Sequence, residues 1–123
     1  MSSHIHPTAV IGPKVCLGKN VTIGPYTVID GPVTIGDNAV IGVHCVVEGH
    51  TTLGDGCQLF TGAVIGSIPQ DKKHSKKDRV VLKIGDGNIF REYVTVNPGT
   101  VEGGGTTSIG HNNFVHGLFA RGP

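Results

Sequence analysis

Residues 21–47, VTIGPYTVIDGPVTIGDNAVIGVHCVV, repeat an aliphatic residue every six positions. Stepping by six from Ile5 to Ile65 meets eleven consecutive Ile, Leu or Val residues, and glycine follows seven of them. From Ile11 onward, the residue two positions before each of these aliphatics is small or β-branched. An α-helix has 3.6 residues per turn, so a period of six excludes helices and indicates short strands joined by regular turns.

Each six-residue unit contains one short strand and one turn. Residues two apart in a strand point to the same side, so the aliphatic residue and its small neighbour both face inward. Residue types that tolerate positive φ occur three positions after an aliphatic, where the bend is expected; they are Asn20, Asn38, Gly56, Gly62 and Asn112. Three such units make one triangular coil. The sequence therefore predicts an all-β fold, a parallel β-helix with a narrow aliphatic core.

The six-residue period is interrupted twice. Ile65 and Ile84 are 19 residues apart, and Ile84 and Ile109 are 25 apart, each one more than a multiple of six. The same period resumes after each interruption. We therefore predict a single β-helix domain over residues 1–123, with roughly five to six coils and protruding loops near residues 68–80 and 101–107.

Charge and composition restrict the class of protein. The formal net charge of +1 gives no reason to expect nucleic-acid binding. Five of the ten Lys and Arg residues lie in the first interruption; they are Lys72, Lys73, Lys76, Lys77 and Arg79. No transmembrane segment and no signal peptide is recognisable, which predicts a cytoplasmic location. The three cysteines lack CxxC spacing, so we expect reduced thiols and no metal site.

Two long motifs resemble one enzyme family. They are VEGHTTLGDGCQLFTGAVIGSIPQDKK, residues 47–73, and IGDGNIFREYVTVNPGTVEGGGTTSIGHNN, residues 84–113. Both are similar to the acyl-carrier-protein–UDP-N-acetylglucosamine O-acyltransferases of lipid A synthesis. The resemblance implies a left-handed β-helix and a homotrimer with active sites in the clefts between neighbouring β-helices. It also implies transfer of a 3-hydroxyacyl chain from acyl carrier protein to the sugar 3-hydroxyl of UDP-N-acetylglucosamine, without a cofactor.

The resemblance assigns a substrate site but no catalytic residue. The family's Gln-Asp-x-Lys motif matches Gln70, Asp71 and Lys73, which would hold the sugar nucleotide. The family's histidine base aligns with Pro123, and Asn97 stands where many members have histidine. We therefore expect the N-terminal portion of such an enzyme, truncated at the C-terminus and lacking the C-terminal helical domain. Such a chain would be inactive alone.

Two other functions remain open at this point. The chain could be a non-catalytic, trimerising β-helix fragment, or a sister hexapeptide acyltransferase that acts on another sugar nucleotide. The charged run PQDKKHSKKDR could also be an ordinary solvated loop. EGGGTT lacks the spacing and the lysine of a P-loop, which favours a second protruding loop over a phosphate site.

The remaining histidines and cysteines have simpler interpretations. His44 and His50 are six positions apart and fall on different edges of the prism, so they are poor joint ligands of one metal ion. Cys45 and Cys57 fall on inward positions and are predicted to be core thiols. His111 is predicted to lie on the surface without a visible partner.

Overall fold

The computed structural model describes residues 3–66, 80–98 and 106–116, and the backbone of residues 118–120. These residues form three parallel sheets that wrap around a common core. Numbered in chain order, sheet A contains β1 (His4–Ile5), β4 (Thr22–Ile23), β7 (Val40–Ile41), β10 (Gln58–Leu59), β13 (Ile89–Phe90) and β16 (Phe114–Val115). Sheet B contains β2 (Val10–Ile11), β5 (Val28–Ile29), β8 (Val46–Val47), β11 (Val64–Ile65), β14 (Thr95–Asn97) and β17 (Leu118–Ala120). Sheet C contains β3 (Cys16–Leu17), β6 (Thr34–Ile35), β9 (His50–Leu53), β12 (Val81–Ile84) and β15 (Thr106–Ile109).

The chain visits the three sheets in the fixed order A, B, C, so three strands make one coil. Six strands in sheet A, six in sheet B and five in sheet C give five complete coils and two strands of a sixth, as the six-residue period predicted. Every described strand pairs in parallel with the strand one coil away, for example Gln58 in β10 with Val40 in β7. The described residues are thus one three-sided parallel β-helix.

The core consists of two inward residues from each strand unit. Ile23, Ile29, Ile35 and Ile41 are at most 1% exposed, and the residues two positions before them are fully buried. Burying each of these aliphatic side chains stabilises the fold by about 1.5–3 kcal/mol relative to leaving it exposed. The predicted alternation of inward and outward residues is therefore confirmed.

From β3 onward, each fully described turn at a corner of the prism places one residue in the left-handed backbone region. At the corner between sheets C and A, the C–A corner, these residues are Asn20, Asn38, Gly56, Gly87 and Asn112, with φ between 58° and 69°. Four of these positions were predicted from the sequence, as was Gly62 (φ 75°) at the A–B corner. Tyr26, His44 and Tyr93 share that geometry at the A–B corner and were not predicted from residue type.

A ladder of side-chain acceptors runs along the C–A corner. The Lys19 N–H donates to Asp37 Oδ1, the Asp37 N–H to Asp55 Oδ1, and the Asp55 N–H to Asp86 Oδ1, each at 2.8 Å. In the last rung the Asp86 N–H donates to Nδ1 of His111 at 2.7 Å. His111 is exposed as predicted, but the expectation that it has no partner was wrong, because its ring occupies the aspartate position of the ladder.

The pairing register shows where the chain leaves the coil. The sequence offset between paired strands is 18 in an uninterrupted coil, as between Val40 and Gln58. It rises to 31 between Gln58 and Ile89, and to 25 between Ile89 and Phe114. The two increases equal the lengths of residues 67–79 and 99–105, so the β-helix continues unbroken on both sides of each insertion. The second insertion ends earlier than expected, because residues 106–107 already pair with residues 81–82.

The last strand departs from the six-residue period. Counting six from Val115 gives Arg121, yet Phe119 pairs with Val96 in sheet B. The connection between β16 and β17 is thus two residues shorter than the period requires. This shift continues sheet B through Ala120.

Candidate functional site

Both insertions leave the β-helix at the same corner, between sheets B and C. Residues 67–79 connect β11 to β12, and residues 99–105 connect β14 to β15. Because β11 pairs with β14 and β12 pairs with β15, the two insertions begin one coil apart and end one coil apart. Adjacent parallel strands are about 4.8 Å apart, so the insertions share one stretch of the B–C corner. We take this corner as the candidate functional site.

Gly66 holds the start of the first insertion close to the coils on both sides of it. Its φ is +88°, and its N–H donates to the Val96 carbonyl at 2.8 Å. A Cβ added here would collide with the carbonyl oxygen of Glu48 and with Oγ1 of Thr51. The Thr51 hydroxyl in turn donates to that same carbonyl at 2.7 Å. The anchor is therefore a close backbone contact that only glycine permits.

The predicted substrate residues lie in the first insertion. Gln70, Asp71 and Lys73 fall within residues 67–79, outside the described residues, and Pro123 also lies outside them. The register nevertheless fixes where their segment is attached, between Gly66 and Val80. Half-buried His50 and Asn97 flank this corner on strands β9 and β14.

The outward residues of sheet B form a valine column beside this corner. They are Val10, Val28, Val46 and Val64, each one coil after the previous one, followed by Thr95. The outward column of sheet C is polar or small instead; it comprises Cys16, Thr34, Thr52, Lys83 and Ser108. Sheet B thus presents an apolar surface that leads to the candidate site. The valine spacing was present in the sequence, but it becomes a column only once the length of the coil is known.

The two inward cysteines are confirmed as core residues. Cys45 and Cys57 are fully buried, and their thiols donate to the carbonyls of Phe60 (3.1 Å) and Gly85 (3.2 Å) in the next coil. Burial raises the pKa of both thiols above the ordinary value of 9.0. Cys16 is the exposed cysteine. The buried thiols therefore stay protonated and join successive coils.

His44 lies at the A–B corner and His50 begins a sheet C strand, so they occupy different edges of the prism. The described residues contain no cluster of three or more His, Cys, Asp or Glu side chains suited to a metal ion. In this same part of the chain, no helix is long and apolar enough to cross a membrane.

Comparison with known proteins agrees with the repeat. A family model for the hexapeptide repeat of succinyl-transferase matches residues 32–67. An acyl-carrier-protein–UDP-N-acetylglucosamine O-acyltransferase from Aliarcobacter butzleri is 58% identical over 115 residues, covering 94% of this chain and 44% of the relative. The enzyme of the same name from Sulfurovum sp. is 48% identical over 120 residues, covering 98% of this chain and 46% of the relative. The chain thus spans slightly less than half the length of these relatives.

Solved structures give the same result for the fold. The UDP-N-acetylglucosamine acyltransferase from Campylobacter jejuni superposes with a TM-score of 0.83 and 36% identity, covering 94% of this chain and 44% of that chain. The Francisella novicida enzyme superposes with a TM-score of 0.85 and 35% identity, covering 91% and 41%. Over nearly its whole length the chain is therefore similar to the N-terminal portion of acyl-carrier-protein–UDP-N-acetylglucosamine O-acyltransferases, and it has the left-handed parallel β-helix fold of their solved structures.

Proposed function

We propose that this chain supplies the sugar-nucleotide-binding part of an acyltransferase of lipid A synthesis. The reaction moves a 3-hydroxyacyl chain from acyl carrier protein to the 3-hydroxyl of UDP-N-acetylglucosamine. The observation that carries the proposal is the match to enzymes of that name across nearly the whole chain, including both insertions. Because the chain spans less than half of those relatives, the complete reaction is proposed for the whole enzyme, and ligand binding for this chain.

Within the first insertion, Gln70, Asp71 and Lys73 are the proposed ligand-binding residues. The Asp71 carboxylate would accept hydrogen bonds from sugar hydroxyls. The Lys73 ammonium would supply positive charge near the nucleotide, whose diphosphate is anionic. The rigid attachment of this insertion at Gly66 supports the proposal, since loops that carry binding residues act best from a fixed scaffold. No cofactor enters this step.

We further propose that the working form is a homotrimer whose sites lie between neighbouring β-helices. The valine column of sheet B supports self-association, because contiguous exposed apolar surface marks an interaction site. The column extends to Val64 and Thr95, on the two strands after which the insertions leave the β-helix. A neighbouring copy packed along sheet B would therefore close a cleft beside the proposed ligand residues. The location is proposed to be the cytoplasm, where free thiols such as Cys16 stay reduced.

Calorimetric titration with UDP-N-acetylglucosamine tests the binding proposal directly. We expect saturable binding by the 123-residue chain, and a loss of at least about tenfold in affinity for Asp71→Asn or Lys73→Met. Lys76→Met is the matched control, since it removes the same charge from the same segment outside the Gln-Asp-x-Lys motif. An equal loss of affinity in the Lys76→Met control would show that net charge, rather than the motif, determines binding. Undiminished binding by the Asp71 and Lys73 variants would contradict the proposed site.

Acyl transfer is a separate measurement. Since the family's histidine base aligns with Pro123, we expect little or no transfer from 3-hydroxyacyl carrier protein by this chain alone. Activity comparable to that of a full-length relative would show that another residue supplies the base.

A further inference from the structure

Three Asp-Gly pairs occur in the described part of the chain, each at a corner of the β-helix. They are Asp30-Gly31 at the B–C corner, and Asp55-Gly56 and Asp86-Gly87 at the C–A corner. In an Asp-Gly pair the side-chain carboxyl can react with the following backbone nitrogen, because glycine has no side chain to hinder the approach. All three aspartates are exposed, so access of water does not distinguish them. The local geometry therefore decides which pair reacts.

The ladder of the C–A corner separates the carboxylate from the nitrogen in two of the pairs. Asp55 Oδ1 accepts from the Asp37 N–H, and Asp86 Oδ1 accepts from the Asp55 N–H, both at 2.8 Å. The Gly56 N–H donates to the Asp37 carbonyl at 2.8 Å. The Gly87 N–H donates in the same way to the Asp55 carbonyl, also at 2.8 Å. In both pairs the carboxylate and the nitrogen are thus bonded to the preceding coil and not to each other.

In the third pair the carboxylate and the nitrogen are bonded to each other. The Gly31 N–H donates to Oδ1 of Asp30 at 2.9 Å, and it makes no backbone hydrogen bond to another described residue. Because Oδ1 is attached to the carboxyl carbon Cγ, this contact also brings the Gly31 nitrogen close to Cγ. Reacting groups that are held in contact gain much of the rate advantage of an intramolecular reaction.

Gly12 provides the space for this arrangement. It lies one coil before Asp30, and a Cβ added to Gly12 would collide with Oδ1 of Asp30. The Asp30 carboxyl therefore occupies the volume that a side chain at position 12 would fill. The absence of that side chain allows the carboxyl to lie beside the Gly31 nitrogen.

We propose that Asp30-Gly31 is a site of spontaneous backbone modification, at which aspartate is converted to isoaspartate. The Gly31 nitrogen attacks Cγ of the protonated Asp30 carboxyl. A new N–Cγ bond closes a succinimide ring, while the carboxyl hydroxyl and the amide proton leave together as water. Water then adds to one of the two ring carbonyls and breaks its bond to nitrogen, which yields aspartate or isoaspartate. Water is released and taken up again, so no oxidant or reductant is needed.

The modification would distort the corner to which the first insertion is attached. Isoaspartate lengthens the main chain by one methylene group, and the Asp30 N–H donates to the Val47 carbonyl at 3.0 Å. A Cβ added to Gly31 would lie 3.2 Å from the backbone of Gly49. A Cβ added to Gly49 would in turn lie 3.1 Å from the carbonyl oxygen of Gly66. This corner has little room for a longer main chain, so the modified form should unfold at a lower temperature.

Prolonged incubation of the folded protein tests the proposal. The reduced chain is kept near neutral pH at physiological temperature for several weeks. Isoaspartate is quantified by enzymatic methylation of its free α-carboxyl with S-adenosylmethionine, and it is located by mass spectrometry of peptides. We expect at least about tenfold more isoaspartate at Asp30 than at Asp55 or Asp86. Equal amounts at the three pairs, or none at Asp30, would overturn the proposal.

Incubation in urea separates the effect of the fold from that of the local sequence. Unfolding removes both the ladder and the contact between Asp30 and Gly31, so the three pairs should then react at similar rates. A preference for Asp30 that persists in urea would show that neighbouring residues, rather than the fold, cause it.

A substitution outside the pair tests the proposed geometry. Gly12→Ala leaves Asp30 and Gly31 in place but fills the volume that Oδ1 occupies. With folding confirmed by circular dichroism, isoaspartate at Asp30 should fall severalfold, because the carboxyl is moved away from the nitrogen. Gly18→Ala is the matched control, since it adds the same methyl group beside Asp37 at the C–A corner and should leave the reaction at Asp30 unchanged. An unchanged rate in Gly12→Ala would contradict the proposed arrangement.

Discussion

Single residues with positive φ decide where the chain can turn and how closely two coils approach. Gly66 and Gly56 both have a left-handed backbone, with φ of +88° and +69°. Their surroundings differ, because an added Cβ at Gly66 meets the Glu48 carbonyl whereas the space beside Gly56 is empty. The sequence predicted the turn at Gly56 from the six-residue period. It could not predict the close approach at Gly66, which depends on the preceding coil.

This difference predicts unequal costs of alanine substitution. Gly56→Ala should lower the free energy of unfolding by about 1 kcal/mol, the cost of a left-handed conformation for a residue with a Cβ. Gly66→Ala should cost about 2–4 kcal/mol, because a backbone carbonyl must also move. Urea denaturation of the two variants measures both values. Equal losses would show that the contact at Gly66 relaxes freely.

The buried thiols predict a pH dependence of stability. Desolvation raises the pKa of Cys45 and Cys57 above 9.0, so near that pH the unfolded chain releases these protons while the folded chain retains them. Unfolding then releases protons, and the free energy of unfolding falls as the pH rises through 9 and beyond. Denaturation at pH 8 and pH 10 measures the fall. The Cys45→Ala/Cys57→Ala variant is the control and should show a smaller decrease, and an identical decrease would exclude the thiols as its source.

The corner ladder is a property of the stacked turns rather than of any one residue. Its repeating unit is Gly-Asp in three successive turns and Gly-His in the last, with the side chain accepting from the N–H one coil earlier. In the sequence these aspartates are recognisable only as polar residues two positions after an aliphatic residue. Their role as acceptors follows only from the pairing register, which places Asp37 beside Asp55. That is why the partner of His111 was missed even though its position in the turn was known.

Substitution of His111 tests the ladder as an element. His111→Ala removes the acceptor of the Asp86 N–H and should lower the free energy of unfolding by about 0.5–1.5 kcal/mol. His111→Asp restores the residue type of the other rungs and should retain most of the wild-type stability at pH 7. Thermal unfolding of both variants measures the difference. Neither substitution removes the neighbouring hydrogen bond from the Asn113 N–H to Asn88 Oδ1. An alanine variant as stable as the wild type would show that water replaces the acceptor without loss.

At the scale of the whole molecule, the six-residue period of the sequence predicted nearly all the structural features that recur from coil to coil. The three sheets, the inward pairs and the two insertions all follow from the spacing of Ile, Leu and Val. The exception is the last strand, where the period would place an arginine at an inward position. Continuing the period past Val115 would bring Arg121 to the place of Val96, and burying an arginine there is costly. The structure instead has a shorter turn, and Phe119 pairs with Val96. The local sequence pattern does not predict this pairing.

The insertion register makes a final prediction about the molecule as a whole. Removing residues 67–79 joins Gly66 to residue 80 and returns the offset between Gln58 and its partner from 31 to 18, the value of an uninterrupted coil. Val80→Gly should accompany the deletion, because Gly31 and Gly49 supply a positive φ at the equivalent position of earlier coils. The shortened chain should fold with equal or slightly higher stability, since closing a long loop costs entropy.

The shortened chain should also lose UDP-N-acetylglucosamine binding. Circular dichroism with thermal unfolding and calorimetric titration measure the two outcomes separately. A misfolded chain would contradict the continuous β-helix, whereas a folded chain that still binds would place the ligand site outside residues 67–79.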